Sequence, residues 1–158
     1  MTLLSRKADY ALLILSYLHT QVGGNAREIA AKFGLSRAFV ANILKELGHK
    51  GFVTSTRGVK GGYVLQRASA TITLAELLEA VEDGFQLTMC KEHTAEATCE
   101  VEHVCPVKAP MLEIQRRIMA LLRGVTLADI FAPTTGPSVL TTLGVIARPN
   151  LQPATTTA

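Results

Sequence analysis

The chain has 158 residues, 48% of them hydrophobic, which is enough for one domain with its own core. No apolar run approaches the length of a membrane span, so we do not expect an integral membrane protein. The net charge of +3 is unevenly distributed: residues 1–67 contain ten Lys and Arg against three Asp and Glu, whereas residues 68–158 contain six against ten. A basic front half is typical of a surface that binds phosphates.

The first predicted element is a helix that begins at Ser5, a good capping residue, and reaches about Thr20. Its apolar residues cover most of the circumference, so we expect it to lie wedged between other elements. Asp9 falls in the first turn, where a carboxylate stabilises the helix dipole. An acid in so apolar a helix also suits a partner or ligand, and the residues alone leave both roles open.

Two shorter helices follow, joined by a turn at Gly34. The first is predicted over residues 26–33, and the second extends from a cap at Ser36 through Leu47. Four apolar residues of the second helix recur at three- and four-residue intervals and define a buried face: Val40, Ile43, Leu44 and Leu47. The other face has the small, basic and amide residues of a DNA-reading helix: Arg37, Ala38, Ala41, Asn42 and Lys45. A plain helical hairpin has the same periodicity, so this segment favours helix-turn-helix without establishing it.

A glycine-rich hairpin comes directly after this motif. Its strands are predicted over residues 51–56 and 63–67, and the connection contains two cations and three glycines: Arg57, Gly58, Lys60, Gly61 and Gly62. Glycines let the backbone approach another backbone closely, while the cations can contact phosphates or a narrow minor groove. Directly after a helix-turn-helix, such a hairpin indicates a wing.

Two further helices are predicted in the second half. A helix over residues 73–82 has an apolar face and a capping box formed by Thr73 and Glu76. A longer helix begins at Pro106 and carries an apolar stripe that suits an internal core as well as a partner helix: Met111, Ile114, Ile118, Leu121, Leu122 and Val125. Residues 134–158 are rich in Pro and Thr and are predicted to form a mostly flexible tail.

The three cysteines, Cys90, Cys99 and Cys105, are the candidate metal ligands. An odd number of clustered thiols indicates metal binding or redox chemistry in a reducing compartment, and we expect a cytoplasmic protein. Eight residues separate the first pair and five the second, so the short Cys pair usual in structural zinc sites is absent. An iron-sulfur cluster tolerates wider spacing but normally needs a fourth ligand. Spacing alone therefore leaves open a cluster, a zinc site completed by His93 or His103, and a bare thiol switch.

Three segments together resemble a known family: Ala8-Asp9-Tyr10-Ala11-Leu12, Ile43-Leu44-Lys45-Glu46-Leu47 and Arg57-Gly58-Val59-Lys60-Gly61-Gly62-Tyr63. They are similar to the Rrf-two family of winged-helix transcriptional regulators, over residues 1–133. The resemblance implies a mainly α fold with a small β-wing. A winged helix-turn-helix domain over residues 1–67 would be followed by a cluster-binding loop and long dimerisation helix over residues 68–133.

The resemblance also implies a homodimer that binds a palindromic double-stranded DNA operator. The second helix of the motif would enter the major groove and the wing would follow the minor groove. Carried over position by position, DNA contacts fall on Ser36, Arg37, Asn42, Lys45, Arg57, Lys60, Gly61 and Gly62.

The family further implies an iron-sulfur cluster, 4Fe-4S or 2Fe-2S, on Cys90, Cys99 and Cys105. Members similar to IscR supply a histidine three residues after the third cysteine, where this chain has Lys108. Members similar to NsrR instead use an aspartate of the opposite subunit, which matches Asp9. The ligand pattern is thus closest to NsrR and implies control of DNA binding by nitric oxide, redox state or iron.

Two other functions compete with this hypothesis. An enzyme that uses Cys105 with His103 lacks a consistent acid-base arrangement and a substrate-pocket signature, so we predict no enzyme. A cluster-free or zinc- or thiol-based winged-helix repressor of the same family is the stronger alternative.

Overall fold

The structure, a computed structural model, describes residues 4–56, 58, 61–82, 99, 101 and 104–132. The elements of this part of the chain are, in order, α1 (Arg6–Gln21), α2 (Ala26–Phe33), α3 (Arg37–His49), β1 (Val53–Thr56), β2 (Gly62–Leu65), a 3-10 helix (Ser69–Thr71), α4 (Leu74–Val81), α5 (Lys108–Arg123) and α6 (Leu127–Phe131). The predicted class, mainly α with a small β-wing, is confirmed. Within these ranges none of the helices combines the length and apolarity needed to cross a membrane.

α1 begins and ends close to its predicted limits. The Ser5 hydroxyl accepts a hydrogen bond from the backbone N–H of Ala8 at 3.2 Å, as a capping residue should. The helix ends at Gln21, one residue beyond the predicted limit, and is followed by Val22, whose φ of 55° lies in the left-handed region. Five of its side chains enter the core: Ala8, Ala11, Ile14, Leu15 and Leu18.

α2 and α3 form the predicted helix-turn-helix. Asn25 and Glu28 cap α2 reciprocally, each side chain accepting a hydrogen bond from the other residue's backbone N–H. Gly34 ends α2 with a φ of 66°, a conformation that glycine adopts without strain. Ser36 occupies the capping position of α3, but its hydroxyl makes no capping hydrogen bond, so that part of the prediction is wrong. The predicted buried face of α3 is confirmed: Val40, Ile43, Leu44 and Leu47.

The wing is an antiparallel pair of short strands. Val53 lies opposite Leu65 and Thr56 opposite Gly62, so the regular strands are shorter than predicted. The pairing continues irregularly, because the N–H of Gln66 donates to the carbonyl of Phe52 at 2.9 Å. A further bridge forms where the α1–α2 connection crosses the second strand: Gly24 and Tyr63 exchange two backbone hydrogen bonds of 3.0 and 2.8 Å. The second strand of the wing is therefore joined to the connection that leads into α2.

α4 and α6 are joined at their N-termini. Thr73 caps α4 as predicted, but the carboxylate of Glu76 pairs with Arg67 and not with the Thr73 backbone, so the predicted capping box is only half formed. α6 was not predicted from the sequence. It begins with a complete capping box of Thr126 and Asp129, in which the Thr126 hydroxyl and backbone N–H hold the pKa of the Asp129 carboxyl below its usual value. An isolated bridge joins Thr73 to Thr126.

α5 begins at Lys108, two residues later than predicted. Pro106 lies in the preceding turn, and Val107 is the residue before the helix. Met119 is the buried residue of α5, whereas most of the predicted apolar stripe is half-buried in the single chain and Ile114 is 44% exposed. The rest of the chain therefore covers the predicted stripe only in part, with Ile118 and Leu122 packed against the core and Ile114 exposed. The predictions for the tail after residue 133 and for residues 83–98 lie outside the described residues.

One hydrophobic core joins the described elements. It contains side chains of α1, α3, β1 and α4, together with Met119 of α5 and Leu127 of α6. Its members lie on both sides of residue 67, so the packing is continuous across the predicted division between residues 1–67 and 68–133. That division stays a prediction about functional units.

Candidate nucleic-acid interface and cysteine site

α3 directs a polar face to the solvent. Asn42 and Lys45 are exposed and lie three residues apart, which places them on the same side of the helix. Arg37, in the first turn, and Ser36, just before it, are also exposed. The structure therefore makes all four predicted helix-turn-helix contacts accessible, with the apolar face of α3 turned into the core.

The chemistry of this face suits a major groove. An asparagine amide pairs with the two exposed groups of adenine, and an arginine pairs in the same bidentate way with guanine. The first turn of a recognition helix lies closest to the base edges, and Arg37 occupies that turn. The neighbouring Ala38 and Ala41 have small side chains that allow close approach of the helix backbone.

Glu46 is the acidic residue of α3, and its charge is offset. The Lys7 ammonium lies 2.6 Å from its carboxylate oxygen, joining α1 to α3. An unpaired carboxylate on this helix would repel DNA phosphates. Because Lys7 pairs with it, the exposed surface of α3 keeps the basic character of Arg37 and Lys45.

Two of the predicted wing contacts, Gly61 and Gly62, have a structural role of their own. A Cβ atom on Gly61 would lie 2.8 Å from the carbonyl oxygen of Thr56, and one on Gly62 would lie 2.7 Å from that of Gly24. Both distances are far below van der Waals contact, so the wing itself requires glycine at these positions. Arg57 and Lys60 lie outside the described residues, and Gly58 is exposed with a φ of 127°.

The cysteine site is only partly described. Cys99 and Cys105 are half-buried free thiols, and Cys90 lies outside the described residues. Cys105 precedes the first residue of α5 by three positions, so it is not at the helix start as predicted. The described ranges bring together no group of three or more His, Cys, Asp or Glu side chains that could hold a metal ion.

Asp9 is exposed in the first turn of α1. Within the part of the chain that the structure describes, its carboxylate has no hydrogen bond or ion pair with another side chain. A half-buried pair of thiols and an uncommitted carboxylate are donors of the kind that iron-sulfur clusters and other thiophilic metal centres use. The residues present therefore fit such a group chemically.

The end of α4 lies beside the start of α1. Glu82 follows α4, and its carboxylate accepts a hydrogen bond from the backbone N–H of Ser5 at 2.8 Å. The Ser5 carbonyl in turn accepts from the N–H of Asp9 at 3.2 Å. Glu82, which precedes Cys90 by eight positions in the chain, is thus next to the helical turn that carries Asp9.

A known protein family matches the part of the chain that contains all the described helices and strands. The family described as Rrf2, iron-dependent transcriptional regulator, matches residues 4–133, a range that contains α1 through α6. The chain belongs to the Rrf2 family. The resemblance found in the sequence is thereby confirmed, and with it the prediction that the chain is not an enzyme but a DNA-binding transcriptional regulator.

Individual Rrf2-family relatives agree with this assignment. A helix-turn-helix-type transcriptional regulator of Azotobacter vinelandii, ORF2, is 32% identical over 133 residues, which are 84% of this chain and 79% of the relative. The regulator NsrR of Bacillus licheniformis is 29% identical over 134 residues, 80% of this chain and 90% of the relative. The structure of CymR, the global cysteine regulator of B. subtilis, matches with a TM-score of 0.62 and 24% identity over 83% of this chain and 97% of that chain, which supports the fold.

For an Rrf2-family regulator, β1 offers candidate DNA contacts that were not predicted from the sequence. After buried Val53 its residues Thr54, Ser55 and Thr56 are all exposed, and hydroxyl groups commonly donate hydrogen bonds to phosphates. Thr56 is partly engaged, because its hydroxyl accepts from the N–H of Gly62 at 3.3 Å. The signal in the sequence was three consecutive hydroxyl residues where an ordinary half-buried strand would alternate with apolar ones.

Proposed function

We propose that this chain is a homodimeric Rrf2-family regulator whose affinity for a palindromic operator is controlled by an iron-sulfur cluster. The cluster would respond to nitric oxide, redox state or iron. Its ligands would be Cys90, Cys99, Cys105 and Asp9 of the partner subunit. The observation that carries this proposal is the exposed carboxylate of Asp9, the one acidic residue of α1, which pairs with no other described side chain.

The operator would be read by residues of α3 and the wing. Ser36, Arg37, Asn42 and Lys45 would face the major groove. Arg57, Lys60, Gly61 and Gly62 would follow the minor groove and its phosphates. Because the target is DNA, we place the activity in the cytoplasm, with residues 1–67 as the reading unit and residues 68–133 as the sensing and dimerising unit.

Partly exposed apolar residues at and just before α5 support the dimer. Ile114 of α5 is 44% exposed in the single chain, Val107 before the helix is 58% exposed, and Ile118 and Leu121 are half-buried. A second copy related by two-fold symmetry would cover these side chains. Two-fold symmetry also explains a palindromic operator, because each subunit then reads one half-site about one helical turn from the other.

When bound, the cluster would supply an iron centre that reacts with nitric oxide and oxidants. The thiolates of one subunit and Asp9 of the partner subunit would then join the cysteine loop to the opposite α1. A carboxylate binds iron less tightly than a thiolate, so Asp9 is the ligand most easily released. Its release would free α1 from the loop, change the separation of the two α3 helices and weaken operator binding.

Anaerobic purification followed by visible absorption and iron and sulfide analysis tests this proposal. We expect a coloured protein that contains both elements and loses operator affinity when treated with nitric oxide or oxidant. Cys99→Ala should remove the colour, and His93→Ala is the matched control that should keep it. A colourless, iron-free protein that binds operator normally would contradict the proposal.

The second candidate is a cluster-free or zinc- or thiol-based repressor of the same family. It is supported by the half-buried free thiols of Cys99 and Cys105, since a thiol can be oxidised reversibly without a metal. Zinc analysis and the response of operator binding to a thiol oxidant distinguish this candidate. Bound zinc, or a loss of operator affinity that a thiol reductant reverses in iron-free protein, would favour it.

A further inference from the structure

Two side-chain pairs attach α1 to the flank of α3. The Lys7 ammonium lies 2.6 Å from a carboxylate oxygen of Glu46. The Tyr10 ring packs edge-on against the Phe39 ring, with centroids 5.1 Å apart and an interplanar angle of 84°. All four side chains lie outside the fully buried core, and none of them is among the predicted DNA contacts.

The two pairs contact α3 at separate points along its length. Lys7 and Tyr10 are three residues apart and share one side of α1. Phe39 and Glu46 are seven residues apart, so they share one side of α3 and are separated by about 10 Å along its axis. In addition to the buried face of α3, two attachments restrain its position along the axis and its direction more than a single attachment would.

The core holds these two helices together. α1 contributes Ala8, Ala11, Ile14, Leu15 and Leu18 to it, and the two alanines are the members next to Lys7 and Tyr10 in the chain. A methyl side chain allows close approach but forms only a low ridge, so at this end of α1 the buried surface resists sliding and rotation weakly. The core therefore sets the distance between α1 and α3, and the flanking pairs complete the definition of their register.

We propose that Lys7 and Tyr10 are positioning residues for DNA recognition. They hold α3 through Glu46 and Phe39, so that the exposed face of α3 enters the major groove at the angle that base reading needs. Phe39 lies in the first turn of α3, beside Arg37, where a small displacement moves the reading side chains off the base edges. This role concerns the DNA-binding activity of the family and does not depend on the cluster.

Comparing specific with non-specific DNA binding distinguishes a positioning role of Lys7 and Tyr10 from a direct contact with phosphates. Non-specific binding depends on the number of phosphates neutralised and tolerates a misaligned helix. Base reading does not tolerate a misaligned helix. The experiment uses the full-length protein and two probes, a duplex that the wild-type protein selects from a random-sequence pool and a shuffled duplex of the same length and composition. Thermal unfolding confirms that each variant is folded at the assay temperature.

Tyr10→Leu should weaken binding to the selected duplex by roughly tenfold and leave binding to the shuffled duplex unchanged. Tyr10→Phe keeps the ring and should retain affinity within about twofold of wild type. Glu46→Gln gives the sharpest result. Removing a negative charge near DNA would by charge alone tighten binding to both duplexes. Loss of the Lys7–Glu46 ion pair, in contrast, should weaken binding to the selected duplex because α3 is no longer held in position.

A double-variant cycle tests the contact itself. If Tyr10 acts through Phe39, combining Tyr10→Leu with Phe39→Leu should weaken specific binding no more than the stronger single change. Equal losses on both duplexes, additive losses in the cycle, or tighter binding by Glu46→Gln would each overturn the proposal. If Tyr10→Leu does not fold, the binding of Glu46→Gln and of Lys7→Met to the same two duplexes is measured in its place.

Discussion

At the scale of single residues, Gly62 shows how two requirements meet at one position. The family resemblance assigns it a DNA contact, and the structure adds that a Cβ at this position would lie only 2.7 Å from the carbonyl oxygen of Gly24. The chain therefore needs glycine there even when no DNA is bound. A loss of DNA binding in a Gly62 variant would not by itself identify a DNA contact.

Gly62→Ala should consequently lower the free energy of unfolding by about 2 kcal/mol, because the added methyl group would clash with the backbone of Gly24. Chemical denaturation measures this difference. Gly48→Ala is the matched control, since Gly48 lies within α3 and a Cβ there would be 3.8 Å from the Val53 carbonyl oxygen, an ordinary van der Waals contact. That change should be neutral or stabilise by up to about 1 kcal/mol. Equal stability of wild type and Gly62→Ala would leave DNA contact as the reason for this glycine.

At the scale of elements, α3 presents two kinds of candidate DNA contact on one exposed face. Asn42 offers an amide that can distinguish bases, whereas Lys45 offers a charge that binds any phosphate. Their side chains are three residues apart, so one helix orientation serves both. The two residues should nevertheless differ in what their removal changes.

We expect Asn42→Ala to weaken binding to the selected operator by about 1–3 kcal/mol and to relax the preference at one base pair. Lys45→Ala should weaken binding to all duplexes and reduce the slope of log affinity against log salt by about one. Titrations at several salt concentrations measure both effects. Arg123→Ala is the control, because Arg123 pairs with Glu79 of α4 and should leave DNA affinity unchanged. Identical salt slopes for Lys45→Ala and wild type would contradict the assignment of Lys45.

α5 raises a second question at this scale, namely what covers its apolar stripe. Ile114 lies on that stripe, and Ala120 is exposed on another side of the same helix. Ile114→Asp should yield monomers at concentrations where the wild-type protein is dimeric, because a carboxylate in an apolar interface loses its hydration. Ala120→Asp should remain dimeric. Light scattering after size-exclusion chromatography measures the masses, and a fully dimeric Ile114→Asp protein would exclude this stripe as the interface.

At the scale of the whole molecule, the proposed site depends on which subunit supplies Asp9. Glu82, at the end of α4, lies beside the first turn of α1 in the same subunit, because its carboxylate accepts a hydrogen bond from the Ser5 N–H. The family resemblance instead implies an aspartate from the opposite subunit. A heterodimer in which each subunit carries one defect separates these two arrangements.

Consider a heterodimer of one Asp9→Ala subunit and one Cys99→Ala subunit. If Asp9 acts across the dimer, the cysteines of the Asp9→Ala subunit meet the intact aspartate of the other subunit, so one of the two sites is complete. We therefore expect about half the wild-type iron and sulfide, because metal binding requires a complete ligand set in one place. Homodimers of either variant are the controls and should contain neither element. If the heterodimer is also empty, Asp9 does not act across the dimer, and if the Asp9→Ala homodimer keeps its full cluster, Asp9 is not a ligand.

The sequence by itself determined the helix-turn-helix, the wing and the family resemblance. These features depend on local signals: the apolar spacing in α3, the turn at Gly34 and the run of glycines after β1. α6 was missed because it is only five residues long, too short for a periodic pattern, although its capping box was present. The late start of α5 was missed because a proline suits a turn as well as a first helical turn.

Only the tertiary structure decided how residues distant in the chain are paired. Glu76 turned to Arg67 and not to its own cap, Gly62 came against Gly24, and Lys7 and Tyr10 met the flank of α3. Local patterns specify which face of a helix is apolar, because that depends on residues a few positions apart. Which partner meets that face depends on how all the elements pack around one core, and no short stretch of the sequence contains that information.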